Sequence, residues 1–537
     1  MAVSVQSLQL AVRNVAQHGD TDVFPFPIEN HWFHDQEDEI VRLLQAIDDD
    51  FLGQLSSYPV FAVTSLSSVG YAGFRGATQI DPLWNAYLLA LVIEIAPDLE
   101  AARVPRSDNV AFSYRFRPSA TKATLFDADL GWGSFQRTAL EKAEDHDVIL
   151  STDISDFYPR IYHHRLENAL NDATQNTEVV RRILFILAKL TPGEVSFGLP
   201  VGGHAARVLA EILLNRTDRL LQTDGINYCR FVDDYYIFAD SRDDAQAALI
   251  HLSEVLLTNE GLTLSRLKTR FMSRAEFTRS SPMADPDSAD SLEERESRRF
   301  LKLRLRYDPY SSSAEDDYEK LSQGIAEFDV TGMLTRELRK TRVDERLVRQ
   351  LVKSLKFLDP NVLDGAAVSL VRNLGVLYPV FPTVALVLKS VLPDLSGSAR
   401  AEVFSAFRAL ITEGSYIALV PTNLAYAVRV IAQDPTEDAT TVLAQIYGGA
   451  GVNVLVKRDV LLAMAKKKAR FWLSPVAKTF AVLSPWEKRA LIPASFVLGD
   501  EGKHWRRHIQ PRLNAVDAAF NRWVAEKNHG RQWEIPL

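Results

Sequence analysis

An α+β fold is predicted for the first part of this 537-residue chain, a split βαβ sheet, with an all-α array after it. Three observations predict it. Two apolar, aromatic runs at 226–230 and 235–239 flank Phe231-Val232-Asp233-Asp234, which reads as a β-hairpin with paired carboxylates at its tip. A second apolar run at 147–153 delivers Asp153 at its end. Beyond about residue 318, strand signals nearly vanish and apolar runs of helical length recur between prolines.

In chain order, residues 1–145 carry helical patterns at 37–49 and 84–95 with short strands between. The strand at 147–153 leads to Phe197-Gly198-Leu199-Pro200-Val201-Gly202-Gly203-His204 and then a helix over 205–221. After the hairpin come a helix over 243–259 and the segment 261–269, so residues 147–272 read β-α-β-β-α-β. Residues 280–296, rich in Ser, Asp, Glu and Pro, read as a mobile insertion or linker, and an ordered pattern resumes over 301–308. The tail shows helical segments at 346–358, 366–377, 382–391, 399–411, 424–431, 440–446, 460–464 and 516–524. Prolines such as Pro360, Pro393 and Pro435 punctuate the gaps, as in a HEAT-like array of roughly 40-residue helix pairs. Three domains are expected: 1–145, 146–310 and 311–537.

Hydrophobic content of 47% with 24% charged residues is ordinary for a soluble globular protein. The single cysteine, Cys229, excludes an internal disulfide framework and fits a reducing compartment. The first residues lack a cationic segment followed by an apolar core, and no apolar run is read as reaching the roughly 18–20 residues of a membrane helix. A cytoplasmic protein with no membrane partner is the expectation. The net charge of −8 hides an asymmetry: residues 331–537 hold 29 Lys and Arg against 18 Asp and Glu, net +11, leaving −19 on residues 1–330. Such a division points to a polyanion partner for the basic part.

Asp bonds its own backbone in turns, so a solvated turn would explain the hairpin alone. A second carboxylate at the end of another strand changes the balance. Two-metal phosphoryl transfer needs carboxylates from separate strands converging on two cations about 3.5–4 Å apart. Asp153 and Asp233 are the natural pair, with Asp234 auxiliary. The glycine-rich segment before a helix permits close backbone approach to a phosphate or template.

Taken together, Asp153-Ile154-x-x-Phe157-Tyr158, Gly198-Leu199-Pro200-x-Gly202, Phe231-x-Asp233-Asp234 and Gly261-Leu262-x-Leu264-x-x-x-Lys268-Thr269 resemble motifs A to D of reverse transcriptases. Four motifs in order over about 120 residues are far more specific than any one. The resemblance implies the fingers and palm of a right-hand polymerase. It implies two Mg²⁺ (or Mn²⁺) per active site at Asp153, Ile154, Asp233 and Asp234, with dNTPs and single-stranded DNA or RNA as partners; a homo-oligomer is left open. It places Asp156 and Phe157 where backbone amides meet the triphosphate, with Gly202 beside the nucleotide; capping of the next helix is the other reading of Asp156. Tyr158, five residues after Asp153, stands where these enzymes set a bulky ring beneath the sugar, which selects deoxynucleotides by repelling a 2′-OH. Lys268 would protonate the leaving pyrophosphate or pair with its charge. One of Arg115 and Arg117, which alternate on an expected strand, would reach triphosphate or template phosphates, and the choice between them stays open.

More narrowly, the chain resembles bacterial abortive-infection and defence-associated reverse transcriptases. The carriers are Gly19-Asp20-Thr21-Asp22-Val23-Phe24-Pro25-Phe26-Pro27, Phe112-Ser113-Tyr114-Arg115-Phe116-Arg117, Arg306-Tyr307-Asp308-Pro309-Tyr310 and the helical tail. Val201 stands where many reverse transcriptases have a Gln that positions nucleotide and template, and valine makes no such hydrogen bond. The implied function is antiviral DNA synthesis from dNTPs, template-independent or protein-primed. The alternatives are a retron- or intron-type templated enzyme, and a nucleic-acid-binding scaffold or ribonuclease with a silent palm. In the tail, Lys466, Lys467, Lys468, Arg470 and Trp472, then Arg506 and Arg507, interleave cations with rings as single-strand binding requires; lysines over an aromatic core would look the same. Arg522 and His529 have the spacing of certain helical ribonuclease sites, a pattern that chance supplies easily in a basic tail.

Overall fold

The computed structural model describes residues 2–191, 193, 195–286, 289, 291–303, 305, 314–529 and 533–537. The chain forms two compact units, the first of Met1–Asp22, Phe26–Thr64 and Ala77–Ser288, the second of Val23–Pro25, Ser65–Gly76 and Ala289–Leu537. Fingers and palm are therefore one unit, without the division expected at residue 145. Arg306 to Tyr310 of the sequence resemblance lie outside the described residues.

Among the described residues the strands are β1 (Ala62–Val69), β2 (Gly73–Ile80), β3 (Phe116–Ser119), β4 (Thr124–Phe126), β5 (Val148–Asp153), β6 (Tyr228–Phe231), β7 (Asp234–Ala239) and β8 (Arg270–Ser273). The last four make one sheet in the order β6-β7-β5-β8, antiparallel throughout. This is the arrangement the βαββαβ reading predicts. Ile149, Leu150, Ile237 and Phe238 are buried, so these strands are covered by protein rather than split into wet and dry faces. Phe135, Ala139, Phe112, Cys229 and Phe277 share that core. Cys229 is fully buried and its thiol is pushed up to about 12 by that burial, as a structural cysteine would be.

Two helices that the sequence reading passed over, His163–Ala173 and Thr177–Leu190, precede the glycine loop. The central helix of the unit, Pro82–Ala102, starts on Asp81, whose carboxylate accepts from the amides of Leu83 at 3.1 Å and Trp84 at 3.4 Å, with proline in the first turn. By length and composition this helix is apolar enough to cross a membrane, which corrects the expectation that no stretch is. It is a core helix of the unit, with 83% of its most apolar window buried.

In the second unit, helices Glu345–Ser354, Phe381–Val391, Pro421–Ile431, Val454–Lys466, Pro485–Ala494 and Ala515–Asn528 pack in succession, each against the next. Pro360–Arg372, Gly397–Thr412, Glu437–Gly448, Arg470–Lys478 and Asp500–Ile509 alternate with them in sequence as the other member of each pair. This is the expected helix-pair array. Every pair buries an apolar seam (Leu388, Val428, Leu461, Leu491 and Val524 are at most 1% exposed), so the stacked neighbours make one continuous core. The segment Ser65–Gly76 belongs to this unit. Its Tyr71 hydroxyl donates to the Val376 carbonyl at 2.7 Å and accepts from the Val343 amide at 3.0 Å. The predicted linker at 280–296 contains the start of helix Leu292–Leu301, capped by Ser291.

Candidate active site

β5 and β7 pair so that Asp153 and Asp234 are direct cross-strand partners. Like charges placed opposite each other destabilise a sheet, so a carboxylate pair in this register needs a compensating charge. The hairpin turn is Val232-Asp233, and Asp234 is already the first residue of β7. Val232 has φ +56°, a costly conformation for a β-branched residue. Three hydrogen bonds hold the strained tip: the Val232 amide donates to Ser113 Oγ at 2.8 Å, its carbonyl accepts from Arg230 at 3.2 Å, and Ile154 N donates to the Asp233 carbonyl at 3.0 Å.

Behind the tip lies a buried ion network that the sequence reading missed. Arg230, fully buried, grips Asp218 through two nitrogens at 2.7 and 2.6 Å and reaches Glu211 at 3.0 Å. Arg103 adds a 2.5 Å contact to Glu211, and the Ser113 hydroxyl donates to the same carboxylate. Each charge has an opposite partner, which a buried ion requires. The available signal was a glutamate among the apolar positions of the helix His204–Thr223.

The loop before β8 closes the other side of the carboxylates. Ser265 N donates to the Asp153 carbonyl at 2.7 Å and Ser155 N to the Thr263 carbonyl at 2.8 Å. Lys268 thereby brings its ammonium onto the Asp153 carboxylate. Burial, then repulsion from Asp153 and Asp234, pushes the Asp233 carboxyl up to about 7; burial and Asp153 push Asp234 up to about 6. Burial alone would lower the Lys268 ammonium, but the Asp153 hydrogen bond and the three carboxylate charges outweigh it and raise it. A cavity of about 290 Å³ adjoins Asp153, Asp234 and Lys268.

Among the described residues no three His, Cys, Asp or Glu side chains are close enough to cage an ion unaided. Mg²⁺ usually takes only one or two protein carboxylates and completes its shell with water and substrate phosphates. An open set of acids, two of which (Asp233 and Asp234) have their ionisation suppressed by burial and neighbouring carboxylates, fits such a cation. Asp153, Asp233 and Asp234 are therefore chemically suited to hold it, with Ile154 adjoining.

Tyr158 is near enough to Asp233 to feel its charge. Its carbonyl accepts from Leu199 N at 2.8 Å, and Ile161's carbonyl accepts from Gly198 N at 2.7 Å, tying the glycine loop to the backbone of this turn. Gly202 needs its glycine, with φ +125°. Burial, then the neighbouring Tyr114, raises the Tyr158 hydroxyl well above its ordinary value, so it stays neutral. The loop rests on the N-terminal segment: Asp22 N donates to the Gly202 carbonyl at 3.3 Å, and the buried Asp20 carboxylate holds Gln79 at 2.5 Å and Asn30 at 3.2 Å. Arg207, from the helix after the loop, lies over the Tyr114 ring at 5.2 Å and meets Asp22 at 2.5 Å. Nothing in the motif pattern had marked it.

Several expectations are corrected. Arg115 is 2% exposed and spends its guanidinium on Glu100 at 2.8 Å and the Val104 carbonyl at 3.0 Å, so it is interior structure and no phosphate ligand. Arg117 is exposed but leans on Asp127 at 3.4 Å. Asp156 makes no capping hydrogen bond; its φ of +49° turns the chain into Phe157–Arg160 and leaves its carboxylate in solvent. In the second unit, Lys466 bonds Gln433 at 2.8 Å, Lys467 bonds the Asp434 carbonyl, and Trp472 packs edge-on to Tyr447 at 5.0 Å. Lys468, Arg470 and Arg507 are exposed, while Arg506 stacks on Phe496 at 3.6 Å. Arg522 is in the helix Ala515–Asn528, with His529 at its C-terminal cap.

A four-stranded antiparallel sheet of this order, with facing aspartates at one strand end, is the palm of a nucleic-acid polymerase. Residues 95–305 match the family model of reverse transcriptase (RNA-dependent DNA polymerase). The chain thus carries a reverse transcriptase domain and is an RNA-directed DNA polymerase, a nucleotidyltransferase. No curated protein sequence matches the chain. Among solved structures it is similar to apo telomerase from Candida tropicalis, at 11% identity over 78% of this chain and 73% of that one, TM-score 0.30. It is also similar to telomerase from Candida albicans bound to a fragment of telomeric RNA, at 10% identity over 77% and 71%, TM-score 0.32. Scores of this size establish no common architecture across the whole chain.

Proposed function

We propose that this polymerase acts in a bacterial antiviral system, making DNA from dNTPs without a conventional template or from a protein hydroxyl. The observation that carries the reading is Val201 in the loop tied to Tyr158: it leaves that loop without the side-chain amide that positions nucleotide against template. The N-terminal segment holding this loop, Asp20 and Asp22, is part of the same family resemblance.

Divalent cations, Mg²⁺ or Mn²⁺, would be held by Asp153, Asp233 and Asp234 with Ile154; they would activate the attacking hydroxyl and neutralise the triphosphate. The chain's own groups do the rest. Lys268 is charged and placed to neutralise the leaving pyrophosphate or hand it a proton. Tyr158 stands under the sugar, where its ring excludes a 2′-OH. The amides after Asp156 and Phe157 meet the triphosphate. Cytoplasmic location and binding of single-stranded DNA or RNA belong to the same proposal.

The test incubates purified protein with each labelled dNTP and Mg²⁺ or Mn²⁺, with and without added RNA, then digests the product with protease. Incorporation without RNA, released only by protease, is expected. Incorporation that requires RNA and copies its sequence would favour a retron- or intron-type enzyme and overturn the template-free reading.

A further inference from the structure

The array of the second unit contains a cavity of about 350 Å³ whose chemistry the polymerase site does not use. Lys466, Lys468 and Arg470 line it, from the end of one helix and the start of the next, against a single carboxylate, Glu534. Its remaining wall includes two aromatic rings, Phe496 and Trp533, and the Asn528 amide. Both rings have packing partners. Arg506 stacks on Phe496 at 3.6 Å, and Trp523 meets Trp533 edge-on at 5.5 Å. Residues from three separate stretches of sequence are thereby gathered at one place.

The excess of cations calls for an anion, while rings and an amide call for a flat, hydrogen-bonding group beside it. Next in sequence after the lining residue Arg470, Phe471 is 99% exposed, so its ring is covered by no described residue. A phenylalanine left in water is costly and informative where a cluster of cations adjoins it. Cations for phosphate with rings for bases are the recognition chemistry of single-stranded nucleic acid and its monomers.

We propose that this cavity binds one nucleotide unit, its phosphate on Lys466, Lys468 and Arg470 and its base against Phe496 and Trp533. Two sources offer that chemistry, a free nucleotide and a nucleotide of a single strand. Phe471 would stack the adjoining base only for a strand. The cavity is built from the second unit alone and the palm from the first, so failure of the antiviral, template-free reading leaves the proposal untouched.

Binding is measured on the full chain in EDTA, which suppresses metal-dependent binding at the palm. The probes are dATP, a 5′-phosphorylated oligo-dT and inorganic phosphate as competitor. The wild type is compared with Lys468→Glu/Arg470→Glu and with Phe471→Ala, all at exposed positions whose replacement spares the core. The double charge reversal is expected to weaken binding about tenfold or more and to reduce the salt slope on the strand by about 1.4, at roughly 0.7 per lost phosphate contact. If dATP and the strand both bind and Phe471→Ala spares both, the source is the free nucleotide. If the strand alone binds and Phe471→Ala weakens it about tenfold, the source is a strand. Equal affinity of wild type and charge-reversed protein for every probe, or no binding to the wild type, overturns the proposal. So does inorganic phosphate competing as well as dATP, since the rings would then contribute nothing.

Discussion

Replacing Asp233 and Asp234 together by Asn should abolish dNTP incorporation and, in metal-free protein, stabilise the fold at alkaline pH. The magnitude comes from the carboxyls themselves. Asp233 is raised from 3.8 to about 7 and Asp234 to about 6, chiefly by burial and by the facing Asp153. One pKa unit corresponds to about 1.36 kcal/mol, so ionised Asp233 costs the native state about 4 kcal/mol. Both acids feel the same Asp153 charge, so their penalties overlap and do not add. The sign follows from proton counts. Between about pH 4 and pH 7 the native carboxyl keeps a proton that the unfolded one has lost, so wild-type stability falls as pH rises through that window and levels off above it. The Asn pair lacks those titrations. Urea unfolding in EDTA at pH 4 and pH 8 should therefore show near-equal stability at the lower value and the variant ahead at the higher, by up to about 4 kcal/mol. Added Mg²⁺ should restore wild type and leave the variant unmoved, because neutral amides offer the cation no charge. Retained polymerisation in the variant would refute the catalytic assignment. A variant that tracks wild type across pH would refute the electrostatic account of the cluster.

Three further outcomes are expected. Tyr158→Ala should raise the ratio of ribonucleotide to deoxynucleotide incorporation by about tenfold, about 1.4 kcal/mol of lost discrimination; an unchanged ratio would make the ring packing only. Lys268→Ala should lower the single-turnover rate about a hundredfold or more while disturbing dNTP affinity less, as loss of a proton donor would; a loss confined to affinity would leave it a phosphate anchor. Glu211→Ala strands Arg103 and Arg230 without their shared carboxylate and should destabilise the first unit by about 3–5 kcal/mol in urea unfolding; a change below 1 kcal/mol would mean that the network is not what holds the hairpin.

The palm sheet was legible because each strand is a short apolar run bounded by turn residues, and because the two carboxylate positions fall at strand ends. The register was not legible: the sequence reading pairs Asp153 with Asp233, whereas the ladder sets Asp153 directly across from Asp234. The arginines were not legible. Arg115 and Arg117 share a parity, but the chain reaches β3 only at Phe116, and Tyr114 just before it has φ +48°. Alternation therefore gives no common face, and Arg115 turns inward to Glu100 while Arg117 stays in solvent. Arg230, which adjoins the hairpin, and Glu211, inside a helix's apolar side, each looked unpaired in sequence. Their partners are 12 to 108 residues away, and no spacing rule joins them.

The tail shows the same limit from the other side. Sequence periodicity identified eight helical segments of the tail but passed over Arg470–Lys478, Pro485–Ala494 and Asp500–Ile509; charge alone marked Lys466, Lys468 and Arg470 as one basic cluster and Arg506 as part of another. Period reports which residues share a face of one helix and says nothing of which helices stack. Arg506 supports Phe496 in the cavity lined by the first cluster because Asp500–Ile509 packs against the turn Ser495–Leu498 that follows Pro485–Ala494, and Pro485–Ala494 packs on Val454–Lys466. Lys467, in the middle of the same basic run, is instead turned onto the Asp434 carbonyl, and Trp472 onto Tyr447. One basic run is thus sorted side chain by side chain: Lys466, Lys468 and Arg470 line the cavity, while Lys467 and Trp472 brace the array and Lys466 also bonds Gln433. That division, set by packing, is what converts an ordinary charge cluster into a site with a shape.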